Sequence, residues 1–169
     1  GGGLFLDLAS HVFDALDYLT GAFQDVKAHA ANLESAHDVE DIVGVTWRSE
    51  RGAIGTSMWN FAAGVSEDVI EVTGTDGRVA WSAFSGGVVT LTRGKEVQMF
   101  DAPYPPHVHQ PLVQTIVDEL LGRGKCPSTG ETAMRTQAVM DQCLTGYYGD
   151  RSGAFWEHPH RWPGRRSDD

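Results

Sequence analysis

"GGGLFLDLASHVFDALDYLTG", residues 1–21, places two patterns on one helix. Leu8, Val12, Ala15, Leu16 and Leu19 recur at helical spacing, which predicts an amphipathic helix closing at Gly21. Asp7, His11, Asp14 and Tyr18 form a second, polar stripe, about a third of a turn away at 3.6 residues per turn. Asp7 and His11 stand four residues apart, so both groups reach one side of the helix and can act on one small molecule. An imidazole that titrates near neutrality can give or take a hydroxyl proton, and a carboxylate beside it can orient it or bind the substrate. Spacing alone leaves a second reading open, because the macrodipole also favours an ordinary Asp in a first helical turn. Gly1, Gly2 and Gly3 are open in the same way. Glycine allows close approach of backbone to a substrate or cofactor, but such a run need not face any ligand.

Outward from this helix the chain turns to strands. Residues 42–61 predict a hairpin turning at Arg51 and Gly52. With that turn, Val43, Val45 and Trp47 share a face with Ile54, Thr56 and Met58, while Gly44, Thr46, Gly55, Ser57 and Trp59 take the other. "VIEVTGT" (69–75) and "RVAWSAF" (78–84) predict a second hairpin with a type I′ turn at Asp76 and Gly77, setting Ile70 and Val72 beside Val79 and Trp81. "VVTLT" (88–92) and "EVQMF" (96–100) continue the meander around Arg93 and Gly94. After "APYPPHVHQP" (102–111), Leu112, Val113, Ile116, Val117, Leu120 and Leu121 make a broad helical stripe from Pro111 to Gly122. A last helix follows "PSTGE" (127–131), with Ala133, Met140, Cys143, Leu144 and Tyr147 on its inner face.

This order predicts an α+β fold, an open and mostly antiparallel sheet with helices on one face. Residues 1–148 are expected to form the domain, and 149–169 an extended strap with a mobile end. Helices cover one sheet face only, so the open face is expected to join copies of the chain into a homo-oligomer. Trp47, Trp59 and Trp81 are then core or subunit contacts rather than a ligand platform.

Composition narrows the partners. The 169 residues carry 41% hydrophobic and 21% charged residues, enough for a real core. A formal net charge of −10 repels a nucleic-acid backbone or an anionic membrane. Arg161, Arg165 and Arg166 form the only basic cluster, read as a solvated tail. No run of 18 apolar residues and no signal-like opening occurs, so a cytoplasmic location is expected. Cys126 and Cys143 read as reduced thiols rather than a disulfide framework. His107-x-His109 and His158-x-His160 raise a zinc question, but neither Cys-x-x-Cys nor His-Glu-x-x-His accompanies them, and no metal is expected. His29 and His37 read as surface residues. The sequence holds no G-x-G-x-x-G, no P-loop and no G-x-S-x-G, so it has no dinucleotide cradle of its own.

Residues 1–21 also resemble the signature that opens the C-terminal domain of the Gfo/Idh/MocA family, in which a glycine run precedes Asp-x-x-x-His-x-x-Asp. "WRSERGAIGTSMWNF" (47–61), "IEVTGTDGRVAW" (70–81) and "GKCPSTGETAMRTQAVMDQC" (124–143) resemble later family segments in the right order. The resemblance implies a dihydrodipicolinate-reductase-like C-terminal fold that supplies the substrate pocket and oligomer interface of a two-domain oxidoreductase. It implies that NAD or NADP is bound mainly by a Rossmann domain, which also brings a Lys from a Glu-Lys-Pro motif. Neither feature occurs in these residues, and the sequence lacks an initiator Met. It is therefore expected to be part of a longer protein, and to be inactive by itself.

Carried over by resemblance, Asp7 binds and orients substrate, and His11 is the general acid/base on the carbinol or carbonyl oxygen. Asp14 is structural or contacts substrate. The glycines lead the chain across the domain boundary. Ala9 and Ser10 stand where many members have Gly and a small residue, a departure expected to touch packing rather than chemistry. The implied substrate is a sugar, polyol or related alcohol or carbonyl compound. Three other readings stay open: a non-catalytic binding or dimerisation module, a metal enzyme using His107, His109, His158 and His160, and a nicotinamide-assisted glycoside-cleaving relative.

Overall fold

Helix α1 (Leu4–Thr20) buries Phe5, Ala9, Val12, Phe13 and Leu16. The computed structural model describes residues 2–166. Val12 and Leu16 are buried as the periodicity predicts, but Leu8 is only half-buried, and Ala15 and Leu19 are exposed. The inner face is rotated toward the two phenylalanines, whose large rings dominate what a helix gains by burial. Phe5 and Phe13 each lie 5.0 Å from the Trp59 ring, and Phe13 lies 5.4 Å from Phe23. Gly21, at φ +84°, ends the helix as predicted and donates its N–H to the Asp17 carbonyl.

Strand β1 (Phe23–Ala31) has no clear signal in the sequence, and a bulge between Gln24 and Lys27 explains why. Asp25 there takes φ +51°, and the extra residue breaks the alternation by which a strand is read. β1 pairs antiparallel with β2 (Ile42–Ser49), which pairs antiparallel with β3 (Ile54–Asn60).

The β2–β3 register corrects the predicted faces. Ser49 and Ala53 close a three-residue loop, Glu50–Arg51–Gly52, with Gly52 at φ +88° and its N–H on the Ser49 carbonyl at 2.9 Å. The expected two-residue turn would have shifted the pairing by one, and such a shift moves every side chain to the opposite face. Val43, Val45 and Trp47 therefore stand opposite Trp59, Ser57 and Gly55, and Trp47 donates its indole N–H to Ser57 Oγ at 3.3 Å. Trp47 and Trp59 share the covered face. Ile54 and Met58 fall on the open face with Gly44 and Thr46, 81% and 67% exposed.

Helix α3 (Gly130–Tyr148) packs on β1 and α1, burying Met140, Cys143, Leu144, Tyr147 and Tyr148. Its start is a capping box in which Thr129 and Thr132 each accept the other's backbone N–H. Ala133 is exposed, against expectation, because burial along α3 begins only at Thr136. Cys143 is an unpaired thiol, pushed up to about 12 by burial. Beyond α3 the tail forms two 3₁₀ turns, Phe155–Glu157 and Pro159–Arg161, and buries Trp162 edge-on against Tyr148 at 4.7 Å. Arg165 pairs with Asp38 and Arg166 donates to the Leu33 carbonyl, so two of the three clustered arginines are anchored rather than solvated. The remainder of the expected mobile end, residues 167–169, lies outside the described residues.

Residues 65–128 form a second compact unit. Its antiparallel meander runs β4 (Ile70–Gly74), β5 (Gly77–Trp81), β6 (Gly87–Arg93) and β7 (Glu96–Ala102), in that spatial order. Ile70 and Val72 stand opposite Trp81 and Val79, as predicted. The turns sit one residue away from expectation, at Thr75–Asp76 and Gly94–Lys95. Thr75 and Asp76 both have negative φ, so the first of these is not the type I′ turn predicted. Helix α2 (Gln110–Leu120) buries none of its residues, contrary to its apolar stripe. Cys126 is buried and unpaired, held by the Thr115 hydroxyl and the Ser128 carbonyl.

The α+β class is borne out, with the strands divided between a three-stranded and a four-stranded antiparallel sheet. Among the described residues, no helix is long and apolar enough to cross a membrane.

Candidate functional site

The helical period of α1 brings Asp7, His11 and Asp14 to one flank, away from the face that Phe5 and Phe13 bury. Asp7 and His11 are exposed, and Tyr18 continues the stripe at 69% exposure. Asp14 is half-buried and accepts a long hydrogen bond, 3.4 Å, from the Thr136 hydroxyl of α3. The Ser10 hydroxyl is spent on the Asp7 carbonyl at 2.6 Å, so it adds nothing to the flank's chemistry. The result is a carboxylate and an imidazole presented to the outside on a rigid support.

Both ends of that support are held by groups outside the polar stripe. At the start, Gly3 caps α1 without any side-chain hydrogen bond. A Cβ on Gly3 would lie 2.6 Å from Glu40 Oε1 and 2.7 Å from the Glu40 carbonyl oxygen, so glycine alone lets the backbone come this close. A Cβ on Gly2, which is exposed, would meet only the flexible end of Leu6. Gly1 lies outside the described residues.

Glu40 is 2% exposed, and its Oε2 accepts the hydroxyl proton of Tyr148. Burial raises its carboxyl above the ordinary 4.5, against the opposing hydrogen bond from Tyr148. The Tyr148 hydroxyl is raised by burial and by that same bond, and Tyr147 beside it is pushed up to about 12 by burial. The neighbouring Asp41 behaves oppositely. Burial alone would raise it, but the N–H groups of Leu33, Glu34 and Ser35 at 2.8, 2.9 and 2.8 Å hold it below 3.8.

At the far end of α1, Asp17 is 7% exposed and receives Arg135 of α3 in a forked pair, Nε at 3.1 Å and Nη2 at 2.6 Å. Here a sequence signal existed. A carboxylate in the last turn opposes the helix dipole, and a buried one there calls for a cation. Glu40 has no comparable local signal, since its partners lie far along the chain at Gly3 and Tyr148.

The histidine pairs build nothing comparable. His107 and His109 belong to the 65–128 unit, and the His158 and His160 rings stand 5.8 Å apart in the tail. Among the described residues, no group of three or more His, Cys, Asp or Glu side chains converges as a metal would require.

Residues 1–80 match the family model for the GFO/IDH/MocA C-terminal domain. No curated protein sequence matches the chain significantly. Several solved structures share the fold. An oxidoreductase from Agrobacterium radiobacter, in complex with NAD+, L-tartaric acid and magnesium, superposes with a TM-score of 0.69 at 17% identity, over 86% of this chain and 48% of that one. UDP-N-acetylglucosamine 3-dehydrogenase from Acidithiobacillus ferrooxidans gives 0.72 at 14% identity, over 84% and 46%. Biliverdin reductase from Synechocystis, in complex with biliverdin and NADP+, gives 0.67 at 15% identity, over 86% and 46%. The chain thus spans about half the length of each of these structures.

Proposed function

We propose that this chain, a GFO/IDH/MocA-type C-terminal domain over residues 1–80, is the substrate-binding and oligomerisation part of an NAD(P)-dependent oxidoreductase that acts on a sugar, polyol or related alcohol or carbonyl compound. The observation that carries this reading is the outward flank of α1, where an exposed Asp7 and His11 follow directly on the glycine-led start of the helix.

In this reading His11 takes the proton of the carbinol oxygen during oxidation and returns it during reduction. Asp7 accepts a hydrogen bond from a substrate hydroxyl and so fixes which carbon is presented. Asp14, steadied by Thr136, bounds the substrate on the α3 side. A bound nicotinamide supplies the hydride acceptor or donor.

The described residues fit the proton-handling half of such a site and not a cofactor cradle. The close approach at Gly3 is filled by Glu40, and Gly52 and Gly94, both at positive φ, serve hairpin turns. In this reading the cofactor is held mainly by residues outside this chain, and the glycine-led start of α1, exposed at Gly2, is the backbone that approaches it. The open sheet face that carries Ile54 and Met58 is assigned to contact with a second copy.

The test is an assay of the complete protein for NAD+ and NADP+ reduction across a panel of sugars and polyols. His11→Ala is expected to lower kcat about 10²-fold or more, the usual range for losing a general acid/base, with little change in KM. Undiminished kcat in that variant sinks the assignment. The 169-residue chain alone is expected to reduce no cofactor.

A further inference from the structure

We infer that Glu40 is a positioning residue for the Asp7–His11 flank: it ties the start of α1 to the end of α3 and so sets where those two side chains stand. This rests on the reading of Asp7 and His11 as the site. Glu40 acts through the helix and not on the substrate itself. The inner face of α1 leaves that task open. Phe5 and Phe13 each meet the Trp59 ring at 5.0 Å, and apolar contacts of this kind are non-directional, so they resist separation more than sliding along the helix axis. Directional polar contacts at the two ends supply what the rings lack. At the far end this is the Arg135 fork on Asp17. At the start, Gly3 has no side chain to cap the N–H groups that lack intrahelical partners.

Glu40 reaches that backbone from the segment leading into β2, and its own place is fixed from the other side. Oε2 accepts the hydroxyl proton of Tyr148, the last residue of α3. The Tyr148 ring is 3% exposed and is pinned edge-on by Tyr147 at 4.9 Å and by Trp162 at 4.7 Å. On the α1 side, a Cβ on Gly3 would lie 2.6 Å from Oε1 and 2.7 Å from the Glu40 carbonyl oxygen. Oε1 is buried and makes no hydrogen bond among the described residues, so its charge is left to the uncapped start of α1, the positive end of the helix dipole. The adjacent Asp41 is spent on the N–H groups of Leu33, Glu34 and Ser35 and does not share this role.

The consequence for the flank follows from helix geometry. Asp7 stands about 6 Å and His11 about 12 Å beyond Gly3 along the axis, at 1.5 Å per residue. The helix from Leu4 to Thr20 is continuous, so a slip at its start is carried to both side chains. A misplacement of about 1 Å at a reacting group can cost about 10²-fold in rate. A carboxylate kept at 2% exposure is costly where an apolar side chain would also fill the space. What the carboxylate adds is a directional tie between α1 and α3.

Two readouts test this: kcat in the complete protein, and the Cε1–H resonance of the His11 imidazole in the 169-residue chain, which reports its surroundings without any assay. Tyr148→Phe keeps the ring and removes the hydroxyl that holds Glu40. It is expected to lower kcat of the folded protein about tenfold or more and to displace the His11 resonance. Glu40→Gln keeps the size of the side chain and an oxygen for the Tyr148 hydroxyl, so kcat should stay within about threefold and the resonance close to its unsubstituted position. Should Tyr148→Phe fail to fold, Gly3→Ala takes its place, since its Cβ pushes the start of α1 off Glu40 and should displace the same resonance. A merely structural role would lower Tm in Tyr148→Phe and leave both readouts unchanged, which would overturn the inference. A loss in Glu40→Gln as large as in Tyr148→Phe would overturn it as well. If His11→Ala leaves kcat intact, the reading of the site fails separately, and the His11 resonance still decides whether Glu40 positions the flank.

Discussion

Two regions of this chain make antiparallel sheets from similar sequence patterns and end with opposite interiors. The unit formed by residues up to Gly64 and from Thr129 onward packs α1 and α3 against β1–β3, and among the described residues it holds every buried apolar side chain except Ile70 and Cys126. The 65–128 unit has an equally regular meander, yet every residue of β7 and α2 is exposed or only half-buried. The difference lies in what each helix carries. Phe5, Phe13, Tyr147 and Tyr148 fill the first unit with rings, whereas α2 offers aliphatic side chains that remain 40–81% exposed. Regular strand pairing is thus no guide to where the stability of a sheet resides.

The sharpest way to break the comparison is to remove one ring. Phe13→Ala in the first unit is expected to cost about 3–4 kcal/mol in urea denaturation, while Val97→Ala in β7, 61% exposed, should change stability by no more than about 0.5 kcal/mol. Equal losses would mean that the second unit has a core as consequential as the first.

The next largest effect concerns the surfaces both units leave open. Ile54 and Met58 lie exposed on one sheet, and Val97 and Met99 on the other. With the proposed subunit contact, Met58→Asp shifts sedimentation toward the monomer and leaves the fold of the single chain unchanged. A monomer for the unsubstituted chain at every concentration would remove the contact altogether.

The smallest effect is a pH slope belonging to the first unit alone. Burial raises Glu40 in the folded state, so its contribution to stability is full below 4.5 and is lost as pH rises through the raised folded value. Asp41 has the reverse sign, adding stability above 3.8 that is lost as pH falls through its lowered folded value. Glu40→Gln should flatten the decline in Tm above pH 4.5, because it removes the group whose buried charge causes it and keeps an oxygen to accept the Tyr148 hydroxyl. An unaltered pH profile in that variant would show that Glu40 is not the source of the slope.

Much of this was readable from local pattern. The 3.6 period of residues 4–20 marked α1 and its polar flank, Gly21 marked its end, and the strand patterns from 69 to 100 marked two of the pairings, β4 with β5 and β6 with β7. These features depend on residues a few positions apart, and sequence displays such spacings directly.

What only the tertiary structure decided depends on distance along the chain or on a single residue of register. One added loop residue at Glu50–Gly52 set which face Trp47 and Trp59 occupy, and the bulge at Asp25 hid β1. Asp17 found Arg135, and Glu40 found Gly3 and Tyr148, across separations that no local period encodes. The sequence by itself determined the class of fold and the flank that bears Asp7, His11 and Asp14. Packing decided which face of each element lies inward, because burial of large rings and satisfaction of buried charges are settled between elements and not within them.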